Sequence, residues 1–196
     1  MDNLMQRALG PRWAQLPPAL QAHYLQGADG MAMDRGHMDV SYPRFMQPAL
    51  SVLRWVGALV PRRGAQVATT VLRRAATGRL HWQRTLTFAD GEVVHFNSAW
   101  EPGPHGSVIE FVNPLLGLEM KPFVEGAQLR YEGLRFVLRL GGRLFTLPEW
   151  LLGHTTIVEE AVDDTHFRMD FRMTHPVAGE VFRYAGVFAA GVSDSQ

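Results

Sequence analysis

The sequence predicts an α+β fold: a strongly curved antiparallel sheet or open barrel of about eight or more strands, with N-terminal helices packed on it or plugging it. Three observations carry that expectation. Across residues 165–173, Phe167, Met169 and Phe171 alternate with Arg168, Asp170 and Arg172. Successive strand side chains point to opposite faces, so this period of two describes a strand with one dry face and one wet face. From Gln66 onward similar short runs are separated by glycine- and aspartate-rich turn signals, the pattern of an antiparallel meander. Residues 48–60 have helical spacing and only Ser51 and Arg54 as polar side chains. Such a helix needs a surface to cover, and a twisted sheet of many strands tends to curl or close and so supplies one.

Element by element, residues 4–9 and 18–25 have helical spacing, broken by Gly10-Pro11 and Pro17-Pro18; proline is well tolerated at a first helical position, so the second helix begins near Pro18. Met38, Val40 and Tyr42 share one phase of a first strand, and Pro61 ends the apolar helix. Leu80, Trp82, Leu86 and Phe88 share a phase, and Val94 and Phe96 follow after Asp90-Gly91, a strong hairpin signal. Residues 101–106 read as a loop. Strands follow at 108–112, 118–124, 127–132 and 134–140, with Gly126, Gly133 and Gly141-Gly142 as punctuation. Pro148 opens one helical turn over 149–152, closed by Gly153. Two last hairpins turn near Asp163-Asp164 and through 175–179. The expected organisation is a single domain over 1–196, with a mostly helical cover carrying one short strand at 1–62 and an antiparallel β meander at 63–190.

Composition narrows the function. With 19 basic and 19 acidic residues the formal charge is zero, so nucleic acid and anionic lipid find no general electrostatic attraction. Cysteine is absent, which removes thiol nucleophiles, thiolate metal sites and disulfides. Residues 1–10 carry Asp2 and Arg7 without a continuous apolar stretch, and no segment approaches the roughly 20 apolar residues of a spanning helix. The expectation is a soluble cytoplasmic protein with no transmembrane segment.

Several motifs lie in a recognisable order: Leu9-Gly10-Pro11 with Leu16-Pro17-Pro18-Ala19-Leu20; Leu147-Pro148-Glu149-Trp150-Leu151-Leu152; Phe171-Arg172-Met173-Thr174-His175-Pro176; and Phe182-Arg183-Tyr184-Ala185-Gly186. In this the chain resembles the bacterial domain-of-unknown-function family DUF4166. The resemblance implies little chemistry and no catalytic residue. It implies a domain that occurs alone or attached to an NAD-binding oxidoreductase-like domain; because this chain has no glycine-rich dinucleotide fingerprint, any such partner is expected on a separate polypeptide. No cofactor is expected.

Four places interrupt the apolar pattern. Arg84 shares the phase of Leu80, Trp82, Leu86 and Phe88; a buried guanidinium must meet a carboxylate, a ligand anion or water, unless a bulge shifts the phase or Arg84 reaches solvent at the rim. Glu159 and Glu160 are adjacent, so one of them shares a face with Phe167, Met169 and Phe171. A two-residue turn at Asp163-Asp164 sets Glu160 beside Phe167, whereas a three-residue turn ending at Thr165 sets Glu159 beside Met169. The inward carboxylate is a partner for Arg84, or an acid or base tuned by an apolar wall. His175, before Pro176 in a hairpin loop, is a candidate acid or base, or a turn residue. Tyr184 and Arg183 point to opposite faces of the last strand. His154, His166, Asp163, Asp164 and Asp170 lack a recognised metal-ligand spacing, and no metal site is expected.

Three readings follow, in this order. In the first, a cup lined by Trp82, Phe88, Phe96, Phe167, Met169, Phe171 and Tyr184, roofed by the 48–60 helix, binds an apolar or amphipathic small molecule, lipid-like and gripped by Arg84 if acidic. In the second, Glu159 or Glu160, with His175 or Tyr184, performs proton transfer on a bound ligand. In the third, the chain is a structural or partner domain.

Overall fold

The computed structural model describes residues 3–27, 29–55 and 59–191. Short helices α1 (Leu4–Leu9) and α2 (Pro18–Tyr24) come first. They are followed by β1 (Met31–Ser41), helix α3 (Gln47–Trp55), β2 (Gly64–Ala76), β3 (Arg79–Thr87), β4 (Val93–Pro102), β5 (Val108–Phe111), β6 (Leu116–Glu125), β7 (Gln128–Leu140) and β8 (Arg143–Leu147). A single helical turn, α4 (Glu149–Leu152), then leads to β9 (His154–Ala161), β10 (His166–His175) and β11 (Gly179–Ala189).

All pairings are antiparallel, in the order β6-β5-β4-β3-β2-β1-β11-β10-β9-β7. Because β6 also pairs with β7, these ten strands close into a barrel and β8 lies outside it. Closure depends on β7 serving two neighbours. Its residues 128–132 pair with β9 and its residues 136–140 pair with β8. The switch falls at Gly133, where the register against β6 jumps between Glu119 and Met120. A Cβ on Gly133 would sit 2.8 Å from the Thr155 carbonyl oxygen, so only glycine allows the approach. The two separate strands expected at 127–132 and 134–140 are therefore one strand, and Gly133 marks a bulge inside it rather than a turn. β1 is also longer than its sequence pattern shows, because Arg35, Gly36 and His37 break the apolar alternation. Gly36 lies opposite Phe188, and a Cβ there would meet the Val187 carbonyl at 2.0 Å.

A barrel of about eight strands has an interior that side chains can fill; ten strands leave more room. At one end α2 fills it, burying Ala19, Leu20, His23 and Tyr24 completely or nearly so, while Leu4, Met5 and Leu9 of α1 seal the rim. An Asn3 side chain caps α1 by accepting from the Gln6 N–H, and the Gln6 side chain accepts from the Asn3 N–H. At the other end α3 covers the barrel only loosely. Leu50 is buried, whereas Gln47, Pro48, Ala49 and Ser51 are exposed. Of the helix expected over 48–60, residues 56–58 lie outside the described residues. Among the described residues no helix is long and apolar enough to cross a membrane.

Candidate functional site

Inward positions along β3 are Leu80, Trp82, Arg84 and Leu86, and along β4 Phe96, Ser98 and Trp100. Arg84 keeps the apolar phase with no bulge and faces the barrel interior, 8% exposed. Its partner is neither Glu159 nor Glu160. Nη2 donates to Glu110 Oε1 at 3.1 Å and Nη1 donates to Ser98 Oγ at 2.9 Å, while Ser98 Oγ donates to Glu110 Oε1 at 2.6 Å. The guanidinium also lies 5.2 Å from the Trp82 ring and 5.0 Å from the Phe96 ring. Ion pair, hydroxyl and flanking rings together make a buried arginine tolerable.

On the far side, β9 pairs with β10 so that Glu159 opposes Met169 and Glu160 opposes Arg168, the geometry of the longer turn. Glu159 points inward and is 5% exposed. Glu160 points outward, where Arg168 Nη1 and Gln128 Nε2 donate to it at 2.8 and 2.9 Å, so it takes no part in the interior. Tyr24 donates to Glu159 Oε2 at 2.7 Å and is hydrogen-bonded to the Tyr131 hydroxyl. Next to them His23 Nδ1 lies 2.7 Å from Asp34 Oδ2, and Arg73 Nη2 donates to Asp34 Oδ1 at 2.6 Å. Burial holds the Glu159 carboxyl above its ordinary range, against the opposing pull of His23 and the Tyr24 hydrogen bond. Burial, reinforced by the nearby Glu159 charge, likewise pushes the Tyr24 and Tyr131 phenols up. For Arg73 burial pulls the pKa down and Asp34 pulls it back.

These two polar groups divide the interior along its axis. Toward α3 opens a cup of about 620 Å³, walled by Phe96, Leu118, Phe136, Phe171, Met173 and Val181. Glu110 and Tyr184 supply its polar atoms on the inner side, and Met46, Ala49, Leu59, Leu152, His175 and Ala178 form its mouth. Tyr184 stacks on Phe171 with ring centroids 4.4 Å apart, and burial raises its pKa. Among the described residues no hydrogen bond reaches Glu110 Oε2 or the Tyr184 hydroxyl. A second groove, of about 920 Å³, adjoins the mouth outside the barrel and shares Leu59 and Phe96 with the cup. Its charged walls are already matched, since Arg62 pairs with Asp90 and Glu92.

Of the residues singled out from sequence, Phe96, Phe171 and Tyr184 line the cup. Arg84, Trp82, Phe167, Met169 and Glu159 line a separate, smaller space deeper in the barrel. Phe88 lines neither, being buried under the Arg62 guanidinium 4.4 Å away. His175 stands at the mouth with both ring nitrogens engaged: Nε2 lies 2.7 Å from the Trp150 carbonyl oxygen and Nδ1 accepts from the Val177 N–H at 3.2 Å. It ties α4 to the β10–β11 turn. Sequence reasoning missed Glu110, Asp34, Arg73, His23, Tyr24 and Tyr131. Glu110 carried a readable signal, as the lone charge in Val108-Ile109-Glu110-Phe111-Val112.

The architecture is thus a closed β-barrel, plugged at one end and hollow at the other. The family model described as Domain of unknown function (DUF4166) matches residues 16–188, and the chain belongs to that family. Among solved structures 11 chains match. One is described as "REP1-NXSQ fatty acid transporter"; it is 9% identical, with 83% of this chain and 97% of that chain covered at a TM-score of 0.33. No curated protein matches the chain.

Proposed function

We propose that this domain binds one apolar or amphipathic small molecule inside the barrel. The carrying observation is the cup itself: about 620 Å³ of space, in the range of small-molecule sites, with aromatic and aliphatic walls and two unengaged polar atoms at its inner side. Burying a chain of methylene groups there is worth roughly 0.8 kcal/mol per group. Arg84 does not offer its charge to the cup, because Glu110 already matches it, so the geometry favours a neutral polar end over the acidic one expected from Arg84 alone. A proton-transfer role for Glu159 is less well supported, since that carboxylate does not line the cup.

The test is displacement of the neutral apolar fluorophore N-phenyl-naphthylamine from the whole chain, alongside native mass spectrometry of the purified protein. The expected result is binding of one probe per chain, abolished by Val181→Trp in a protein whose circular dichroism is unchanged. Probe binding that survives Val181→Trp, or no binding by the parent chain, contradicts the proposal.

A further inference from the structure

Between the cup and the α2 plug lies the smaller space, of about 40 Å³, lined by His23, Trp82, Arg84, Trp100, Glu110 and Glu159 among others. Glu110 and Tyr184 belong to both linings, so the chamber adjoins the inner side of the cup at those two side chains. The chamber is polar in an unusual way. Trp82 and Trp100 are each 3% exposed, with ring centroids 5.0 Å apart, and both indole Nε1–H donors are buried without a hydrogen-bond partner. Two carboxylate oxygens accept no hydrogen bond among the described residues. Glu159 Oε1 has His23 Nε2 at 3.8 Å, too far for a hydrogen bond, and Glu110 Oε2 has no partner among the described residues. Buried donors left unpaired cost roughly 1–3 kcal/mol each, so donors and acceptors lining one void point to an occupant that satisfies both. The volume exceeds the roughly 10–15 Å³ one water needs and is on the scale of a hydroxymethyl group.

We propose that this chamber is the head-group pocket of the cup and receives the terminal hydroxymethyl of a long-chain primary alcohol. The inference rests on the cup reading. A hydroxyl has one donor and two acceptor sites, enough to give its proton to one of the two carboxylates and to accept from both indoles. A carboxylate head has no proton to give and sets a negative charge beside Glu110 and Glu159. An ammonium head has no lone pair, so both indoles stay unpaired and its charge adds to those of Arg73 and Arg84. Arg73 is already paired with Asp34 and Arg84 with Glu110, so neither guanidinium calls for an anionic head.

The experiment compares dodecanol, dodecanoic acid, dodecylamine and dodecane as competitors of N-phenyl-naphthylamine on the whole chain. In parallel it follows the two indole Nε1–H resonances of ¹⁵N-labelled protein, assigned through Trp100→Phe and by through-bond correlation. Dodecanol is expected to bind about tenfold or more tightly than dodecane and to shift both the Trp82 and the Trp100 indole signals. Trp100→Phe is expected to shrink the alcohol's advantage over dodecane. Should all four bind alike with neither indole signal moving, or should the acid or amine bind best, the head-group pocket is refuted while the cup stands. If none of the four binds, the cup reading fails and takes this inference with it. The indole shifts are read on the unsubstituted protein, so the test holds even where Trp100→Phe does not fold.

Discussion

At the plugged end of the barrel, Leu20, His23 and Tyr24 of α2 occupy the interior and meet Phe167, Leu129 and a polar network built on Asp34, Arg73 and Glu159. At the other end the same ten strands enclose the cup of about 620 Å³ under a helix whose described side chains, Leu50 apart, are exposed. The strands alternate inward and outward in the same way at both ends, so the difference comes from what enters the barrel, not from the barrel wall. A polar network needs partners on every side, and α2 carries two of them inward. An apolar wall makes no such demand and is left open. The packed polar network is therefore concentrated at the plug, and the open space at the cup.

The largest expected effect breaks the hollow end. Val181→Trp fills the cup and is expected to weaken probe binding on the order of 100-fold, as an added bulky side chain competes for the space of the ligand, with the melting temperature little changed; titration and thermal melts together check this. At the plugged end, Asp34→Ala strands the fully buried Arg73. It is expected to cost roughly 3–5 kcal/mol, a fall of about 10 °C in melting temperature for a chain of this size. Smaller is Tyr24→Phe, which removes the hydroxyl joining Tyr131 to Glu159; a loss of about 1–2 kcal/mol in urea unfolding is expected, with probe affinity unchanged.

The smallest effect is one of pH. Because burial raises the folded-state pKa of Glu159, the native chain holds a proton that the unfolded chain has released between the unfolded and folded values. Over that interval the contribution of Glu159 to unfolding free energy falls as pH rises. Glu159→Gln removes this dependence. Its stability relative to the unsubstituted chain is expected to improve steadily from about the usual glutamate range upward, in urea melts at a series of pH values; a flat difference contradicts the assignment.

Much of this architecture was legible because it rests on period-two alternation. β3, β4 and β10 were readable from Trp82, Phe96 and Phe171 and their neighbours, and Asp90-Gly91 and Asp163-Asp164 marked two hairpins, the second with two registers left open. What was not legible depends on long-range closure. Gly133 reads locally as a turn, yet its place in the structure is a bulge forced by the approach of Thr155. β8 has exposed Leu144 and Phe145, with no dry face to mark it as a strand. Among site residues, the inward phase of Arg84 was visible, but its partner Glu110 sits 26 residues away on β5, a pairing that only the barrel creates. His23 and Tyr24 looked like the end of an ordinary amphipathic helix, and nothing local says that this helix enters a barrel.

The division between a filled end and a hollow end is tested most directly by intermolecular nuclear Overhauser effects from bound dodecanol to methyl-labelled protein. The account predicts contacts from the alkyl chain to the methyl groups of Leu118, Met173 and Val181, and none to those of Met5, Leu20 or Leu129. Contacts at the plugged end, or binding without contacts in the cup, would contradict it.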